Sequence, residues 1–373
     1  MDRVRHLAAH AAVVVALAAA STASTSLGVP SASSLSSASL KASNTSCKAT
    51  AQWPGWAGID YAFIFGDSYT QTGFVFNRNP APSPDDPLGN PSYPGYTASN
   101  GPNWVGFLTT QYNASRLQTY NLASGGATVD AALVKPFQPT VLSLKDQVLT
   151  QFLPGYTNYN GKSPTAASPL PAWRANNTLV AVWIGINDVG NTYGGEDADS
   201  MNDKIFAVYG DLVDHLYTAG VRNFAFLTVP PVDRSPLTTG QGAAAQAREK
   251  ADLAAFNGLL TTRLAGPLQA KHANGSTETD AVNTWVFDTA PLFNAALDKP
   301  ATFPQTAGLK NTTTYCSSYA NGTPARDTLT AACGVPVNEY FWLNSLHPTY
   351  PIHDVVAEHL AKALTAGPNV CGK

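Results

Sequence analysis

Charge is scarce in this sequence. Only 13% of its 373 residues are Asp, Glu, Lys or Arg, against about 25% in ordinary globular proteins. The formal net charge is -3, too weak a field for nucleic acid, and no polybasic patch faces an anionic membrane. Cysteine is scarce as well. Four residues with no Cys-x-x-Cys pair exclude a disulfide-dense scaffold and give no sign of a zinc site. No His/Asp cluster has metal spacing, so neither a metal nor another cofactor is expected. No apolar run reaches the roughly 20 residues of a spanning helix, and the longest, LAAHAAVVVALAAA, has 14. No internal repeat is present.

That apolar run follows Arg3, Arg5 and His6 and ends among the small residues Ala18, Ala20 and Ala23. Residues 1–23 therefore read as a secretory signal peptide. Residues 24–46 are mostly Ser, Ala and Thr and cannot bury enough to offset ordering entropy, so a flexible segment is expected there. The folded region is 47–373. Secretion fits six Asn-x-Ser/Thr sequons, at Asn44, Asn113, Asn176, Asn274, Asn311 and Asn321, which would carry surface glycans. In an oxidising compartment Cys316 and Cys333 can close a short loop. That leaves Cys47 and Cys371 at the ends of the folded region, where termini often meet, although four cysteines admit three pairings.

Within 47–373 the pattern alternates. DYAFIF, TLVAVWIGI, NFAFLTV and NTWVFDT are short apolar runs, the mark of strands buried on both faces. NWVGFLTTQY, SLKDQVLTQFL and AREKADLAAFNGLL have helical spacing, as do Ile205, Val208, Leu212, Leu216 and Ala219. PIHDVVAEHLAKAL is a last helix opening on proline. This order predicts an α/β fold with a parallel sheet. Residues 76–102 and 154–176 are rich in Pro, Gly and Asn and read as long loops.

In open α/β sheets ligands bind beyond the carboxyl ends of the strands. Four segments lie at such places. FIFGDSYTQTG puts Ser68 just past the first strand, a nucleophile's position, although a Ser there also caps helices. NLASGGATVD carries Gly125 and Gly126, whose backbone N–H groups can face an anion. GINDVGN presents the Asn187 amide. WLNSLHPTYPIHD places His347 in a loop before the last helix, able to act as general base. Acyl transfer needs a nucleophile, a base and oxyanion donors. Ser68, His347, Gly126 and Asn187 supply each.

GDSY, NLASGG, GIND and LHPT, in this order, resemble the four blocks of the GDSL, or SGNH, hydrolases. The resemblance spans residues 63–349. It implies a three-layer α/β/α sandwich with a five-stranded parallel sheet. It also implies Ser68 as nucleophile, His347 as base, and Ser68 N–H, Gly126 N–H and Asn187 as oxyanion hole. WAGIDYAFIFGDSYTQTG, VPPVDRSP and YFWLNSLHPTYPIHD look like secreted fungal members of carbohydrate esterase family 16. Such enzymes remove acetyl groups from sugars or hemicellulose fragments, which makes acetylated carbohydrate or another short-chain ester the expected substrate; low charge and the several sequons make a monomer the expected form. A GDSL lipase or lysophospholipase uses the same machinery, and a catalytically silent carbohydrate-binding relative would keep the scaffold.

One position departs from the pattern. The superfamily usually has Asp three residues before its His, and here Asn344 stands there. Asn344 can orient the imidazole but cannot stabilise imidazolium by charge. Asp354 and Glu339 are the nearest carboxylates that could stand in. Asp67 and Asp188 are expected to brace their turns through backbone N–H groups. Tyr193 and Trp342 are candidates for stacking on a sugar, with Tyr69, Trp53, Trp56, Tyr93 and Tyr96 also near the motifs. His215 and His359 read as solvated.

Overall fold

The structure is a computed structural model that describes residues 47–158, 171–195, 197–273 and 280–371. The expected signal peptide and flexible 24–46 segment lie outside them, as do sequons Asn44 and Asn274.

Five strands form one sheet: β1 Tyr61–Gly66, β2 Gln118–Asn121, β3 Thr178–Trp183, β4 Asn223–Leu227 and β5 Asn283–Phe287. The order is β2-β1-β3-β4-β5 and every pairing is parallel. Tyr61 pairs with Thr178 and Gly66 with Trp183, so β1 and β3 run level to their carboxyl ends. The chain leaves β1 toward β2 on one side and returns to β3 on the other. That reversal opens a crevice between the carboxyl ends of β1 and β3.

Two helical layers cover the sheet. On one face α1 (Trp104–Thr110), α9 (Ala290–Asp298) and α10 (Tyr350–Ala366) pack together. On the other lie α2 (Leu144–Asp146), the π-helical stretch Gln147–Phe152, α5 (Ala198–Thr218), α7 (Ala243–Leu259) and a second π-helical stretch, Leu260–Ala265. Short helices α3 (Leu153–Tyr156), α4 (Ile186–Thr192), α6 (Pro236–Thr239) and α8 (Gly266–Ala273) complete the set. Every residue of β3 is buried, as a strand covered on both faces requires.

On α5 the buried stripe is Ile205, Phe206, Tyr209, Leu212, Val213 and Leu216. Of the expected positions, Val208 and Ala219 are only partly buried, packing at the margin of this face. β2 follows from no apolar run of its own. Its four residues, QTYN, include polar groups that the fold uses internally, such as the Thr119 hydroxyl, 2.7 Å from that of Thr109. Among the described residues, no helix is long and apolar enough to cross a membrane.

Candidate active site

β1 ends at Gly66, and residues 67–70 form a tight turn in which Ser68 alone is not fully buried. The turn closes on Asp67: its carbonyl accepts from Thr70 N and Gln71 N, and its carboxylate accepts from Tyr69 N at 3.0 Å. Side chains from other elements grip the same turn. Asn103, the N-cap of α1, donates to the carbonyls of Thr70 and Gln71 at 2.8 Å each. Asn121 donates to the Thr70 carbonyl at 2.7 Å and to the Thr72 hydroxyl at 3.0 Å. Buried Gln147 accepts from Gly66 N at 3.0 Å and donates to Gly66 O at 2.9 Å.

His347 arrives on a loop folded back on itself. Thr349 N–H donates to Phe341 O, and Leu343 N–H to His347 O. The ring's Nε2 lies 2.7 Å from Ser68 Oγ, and its Nδ1 lies 3.0 Å from Asn344 Oδ1. The same Oδ1 accepts from His347 N at 2.8 Å and Leu346 N at 3.1 Å. Tyr69 joins the two loops: its hydroxyl donates to Leu346 O at 2.6 Å while its ring meets His347 edge-on and stacks on Trp183.

Gly126 turns with φ +83°, and a Cβ there would fall 2.4 Å from Phe137 Cβ. Glycine is therefore required both for the dihedral and for the space. Asn187 lies in the first turn of α4, and its Nδ2 donates one hydrogen to Ala127 O at 2.8 Å. An amide carries two, so this bond aims the group without exhausting it. The helix can start there because Gly185, at φ +123°, turns where a Cβ would strike Phe256 at 2.5 Å.

Asp188 bonds a backbone N–H of its own turn, as expected, and also braces the neighbouring loop. Both carboxylate oxygens accept from Val129 N, at 3.1 and 3.2 Å, which ties α4 to the Gly126 segment. Burial pushes the Asp188 carboxyl up to about 7, against the Val129 N–H that favours the anion. Burial also pushes Asp67 up to about 7, against the Tyr69 N–H and helped by the charge of Asp188. His353, left without a role by the sequence, is buried beside Tyr69 and Trp183. Burial, with His347 nearby, holds it down to about 3, so it stays neutral and apolar in character.

The two carboxylates that could stand in for a triad Asp are engaged elsewhere. Asp354 accepts from the Tyr112 hydroxyl, and Glu339 pairs with Lys310. Trp342 is not a sugar platform. It is 1% exposed, with its indole N–H donating to Thr312 O, because it anchors the His347 loop to the core. Tyr69, Trp53 and Trp56 are buried too, whereas Tyr93 and Tyr96 are 44% and 74% exposed. Tyr193 is half-buried, its hydroxyl 3.0 Å from Gln241 Oε1. His359 is only partly solvated, packing edge-on against Phe303.

Sequence reasoning missed the positioning roles of Asn103, the Asn121 side chain, Tyr69 and Gln147. Asn103 had a readable signal, an Asn directly before an apolar helical run. Gln147 had none. The cysteines are joined as Cys47–Cys371 and Cys316–Cys333.

Comparison with known proteins supplies the context for this geometry. The family model described as GDSL-like lipase/acylhydrolase matches residues 63–360. An acetylesterase of Thermothelomyces thermophilus is 37% identical over 304 residues, 81% of this chain and 87% of its own length. An acetylesterase of Hypocrea jecorina is 28% identical over 174 residues, 45% of this chain and 47% of its own. Among solved structures, Axe2, an acetylxylan esterase from Geobacillus stearothermophilus, aligns with 84% of this chain and 96% of its own at 14% identity and a TM-score of 0.38.

Proposed function

This chain belongs to the GDSL-like lipase/acylhydrolase family, and from that premise we propose that it is a secreted serine esterase removing acetyl groups from sugars or hemicellulose oligosaccharides. Ser68 Oγ attacks the acetyl carbonyl while His347 Nε2 takes its proton. The oxyanion is held by Ser68 N–H, Gly126 N–H and the second hydrogen of Asn187 Nδ2. His347 then protonates the departing sugar alkoxide, leaving an acetyl-enzyme. Water, activated by the same imidazole, releases acetate. Asn344 acts as a positioning residue that keeps the Nδ1 proton in place.

The observation that carries this reading is the 2.7 Å contact of His347 Nε2 with Ser68 Oγ, made where the sheet order reverses. The acetyl preference rests on the two fungal acetylesterases, and the carbohydrate on the family resemblance, with exposed Tyr93 and Tyr96 available for stacking. Secretion rests on the signal pattern of residues 1–23 and on the two disulfides. The proposed mature protein is a monomer glycosylated at its sequons, of which Asn176 and Asn321 are exposed and Asn113 and Asn311 partly so.

Hydrolysis of p-nitrophenyl esters from acetate to palmitate, with Ser68→Ala as control, tests the proposal. The expected rate is highest at acetate and falls at least about 10³-fold in the variant. A maximum at long chains would make the enzyme a lipase, and a rate independent of Ser68 would remove the serine mechanism.

A further inference from the structure

We infer that the carbonyl of Ala320, carried on the loop closed by Cys316–Cys333, selects an amide over a carboxylate at residue 344 and so sets the tautomer of His347. The inference rests on the reading of Ser68 and His347 as nucleophile and base.

An asparagine side chain has one accepting and one donating end. In Asn344 the accepting end faces three nitrogens: His347 N, Leu346 N and His347 Nδ1. The donating end faces Ala320 O at 3.3 Å. Turning the amide over would set its NH2 against two backbone N–H donors and its oxygen against a carbonyl. Only one orientation satisfies every group. It demands a hydrogen on His347 Nδ1 and leaves Nε2 bare toward Ser68 Oγ, which is the form a general base needs.

Ala320 is held there by a small packed unit apart from the main core. Tyr319, Cys333, Val337, Tyr340 and Leu343 form it, and Leu343 directly precedes Asn344. The Tyr319 hydroxyl donates to Val335 O at 3.0 Å and accepts from Thr330 N at 2.9 Å. The Tyr340 hydroxyl donates to Cys333 O at 2.6 Å. Outside the unit, Asn100 Oδ1 accepts from Thr323 N at 2.7 Å. A unit this small has little apolar area with which to order itself, so the disulfide closing it does much of the ordering.

A carboxylate at 344 would keep the three N–H groups on one oxygen. Its other oxygen would then face Ala320 O with no hydrogen between them, two acceptors in a partly buried place. It would have to hold a proton, and so lose its charge, or push the loop away. The family's usual Asp is therefore mismatched to this loop, and Asn344 belongs with it.

The test is a double-mutant cycle on the full chain. Asn344→Asp is measured alone and combined with Cys316→Ser/Cys333→Ser, using p-nitrophenyl acetate. Alone, Asn344→Asp should lower kcat at least about tenfold with KM changed less than about threefold. With the loop opened, the added loss from Asn344→Asp should shrink at least about threefold, a non-additive pair. An Asn344→Asp enzyme as fast as wild type, or an equal loss in both backgrounds, would overturn the inference.

Should the cysteine variant fail to fold, the pH profile of Asn344→Asp decides. Loss of kcat/KM on raising pH through a range where wild type stays level is expected, because the carboxyl must keep its proton. A profile that differs from wild type only in its acid limb refutes the inference, since the carboxylate then merely raises the imidazole pKa. Wild type without Ser68-dependent turnover would instead refute the catalytic reading itself, a result distinct from either.

Discussion

Asn344 holds His347 without a charge. Its Oδ1 collects three N–H groups, enough to fix the ring but not to stabilise imidazolium as an anion would. In a serine protease, Asp→Asn at the equivalent role costs about 10⁴ in kcat by admitting the wrong tautomer. If the surrounding donors set the tautomer as inferred above, the neutral residue need not carry that loss. Asn344→Ala removes the acceptor and should lower kcat at least about tenfold, with KM for p-nitrophenyl acetate little changed. An unchanged kcat would mean that Asn344 orients nothing. Asp188 makes a different prediction. Its folded pKa is raised to about 7 by burial, above its unfolded value of about 3.9. Between those values the folded state binds more protons than the unfolded one, so this group's contribution to stability falls as pH rises. Asn in its place can still accept from Val129 N–H and has nothing to ionise. The melting temperature of Asp188→Asn relative to wild type should therefore rise between pH 5 and pH 8, by at least about 3 °C. A flat difference would show that the carboxyl is ionised throughout.

The Ser68 turn is shaped less by its own residues than by the elements around it. Gln147 is the clearest case. It is fully buried and grips both backbone groups of Gly66, one residue before Asp67. Gln147→Leu leaves Gly66 N–H buried without that acceptor, at a cost of roughly 1–3 kcal/mol, and frees the end of β1. A lower melting temperature is expected, together with a kcat several-fold down. Loss of stability at full kcat would mark Gln147 as purely structural. Nothing in the sequence marks this residue. It sits where the helix passes from α-helical to π-helical turns, which shifts the phase of any 3.6-residue pattern. β2 is obscure for another reason: its polar side chains bond inside the fold, so QTYN lacks the apolar run that exposed β1, β3, β4 and β5. Ser68, Gly126, Asn187 and His347 were legible as candidates because they follow strand ends or stand in motif order. Their supports were not, since buried polar contacts such as Tyr69 to Leu346 span 277 positions and leave no local trace. Trp342 misled for the same reason: an aromatic next to the motif serves the core.

Across the whole molecule the two disulfides are expected to divide stability from turnover. Both edges of the sheet are covered: Thr119 N on β2 donates to Pro87 O, and Asn369 N and Val370 N both bond Thr284 O on β5. The β5 cover is the last segment of the chain, and Cys47–Cys371 ties it to the first across a separation of 324 residues. That first segment lies at the amino ends of the strands, where Thr50 N bonds Asn283 Oδ1 and Gln52 O accepts from Asn223 Nδ2. Ser68 and Asn187, the proposed nucleophile and oxyanion donor, lie at the carboxyl ends. Cys47→Ser/Cys371→Ser should therefore lower the melting temperature, reflecting about 6 kcal/mol of lost chain-entropy restraint by the loop-closure rule, and leave kcat for p-nitrophenyl acetate within about twofold. Cys316→Ser/Cys333→Ser frees a loop of separation 17, worth about 3 kcal/mol by the same rule, and releases Ala320 from Asn344. The longer restraint should thus cost more stability and the shorter one more turnover. Melting curves and kcat on the two variants decide it, and a fall in kcat on opening Cys47–Cys371 in protein that remains folded would show that strain crosses the sheet from one end to the other.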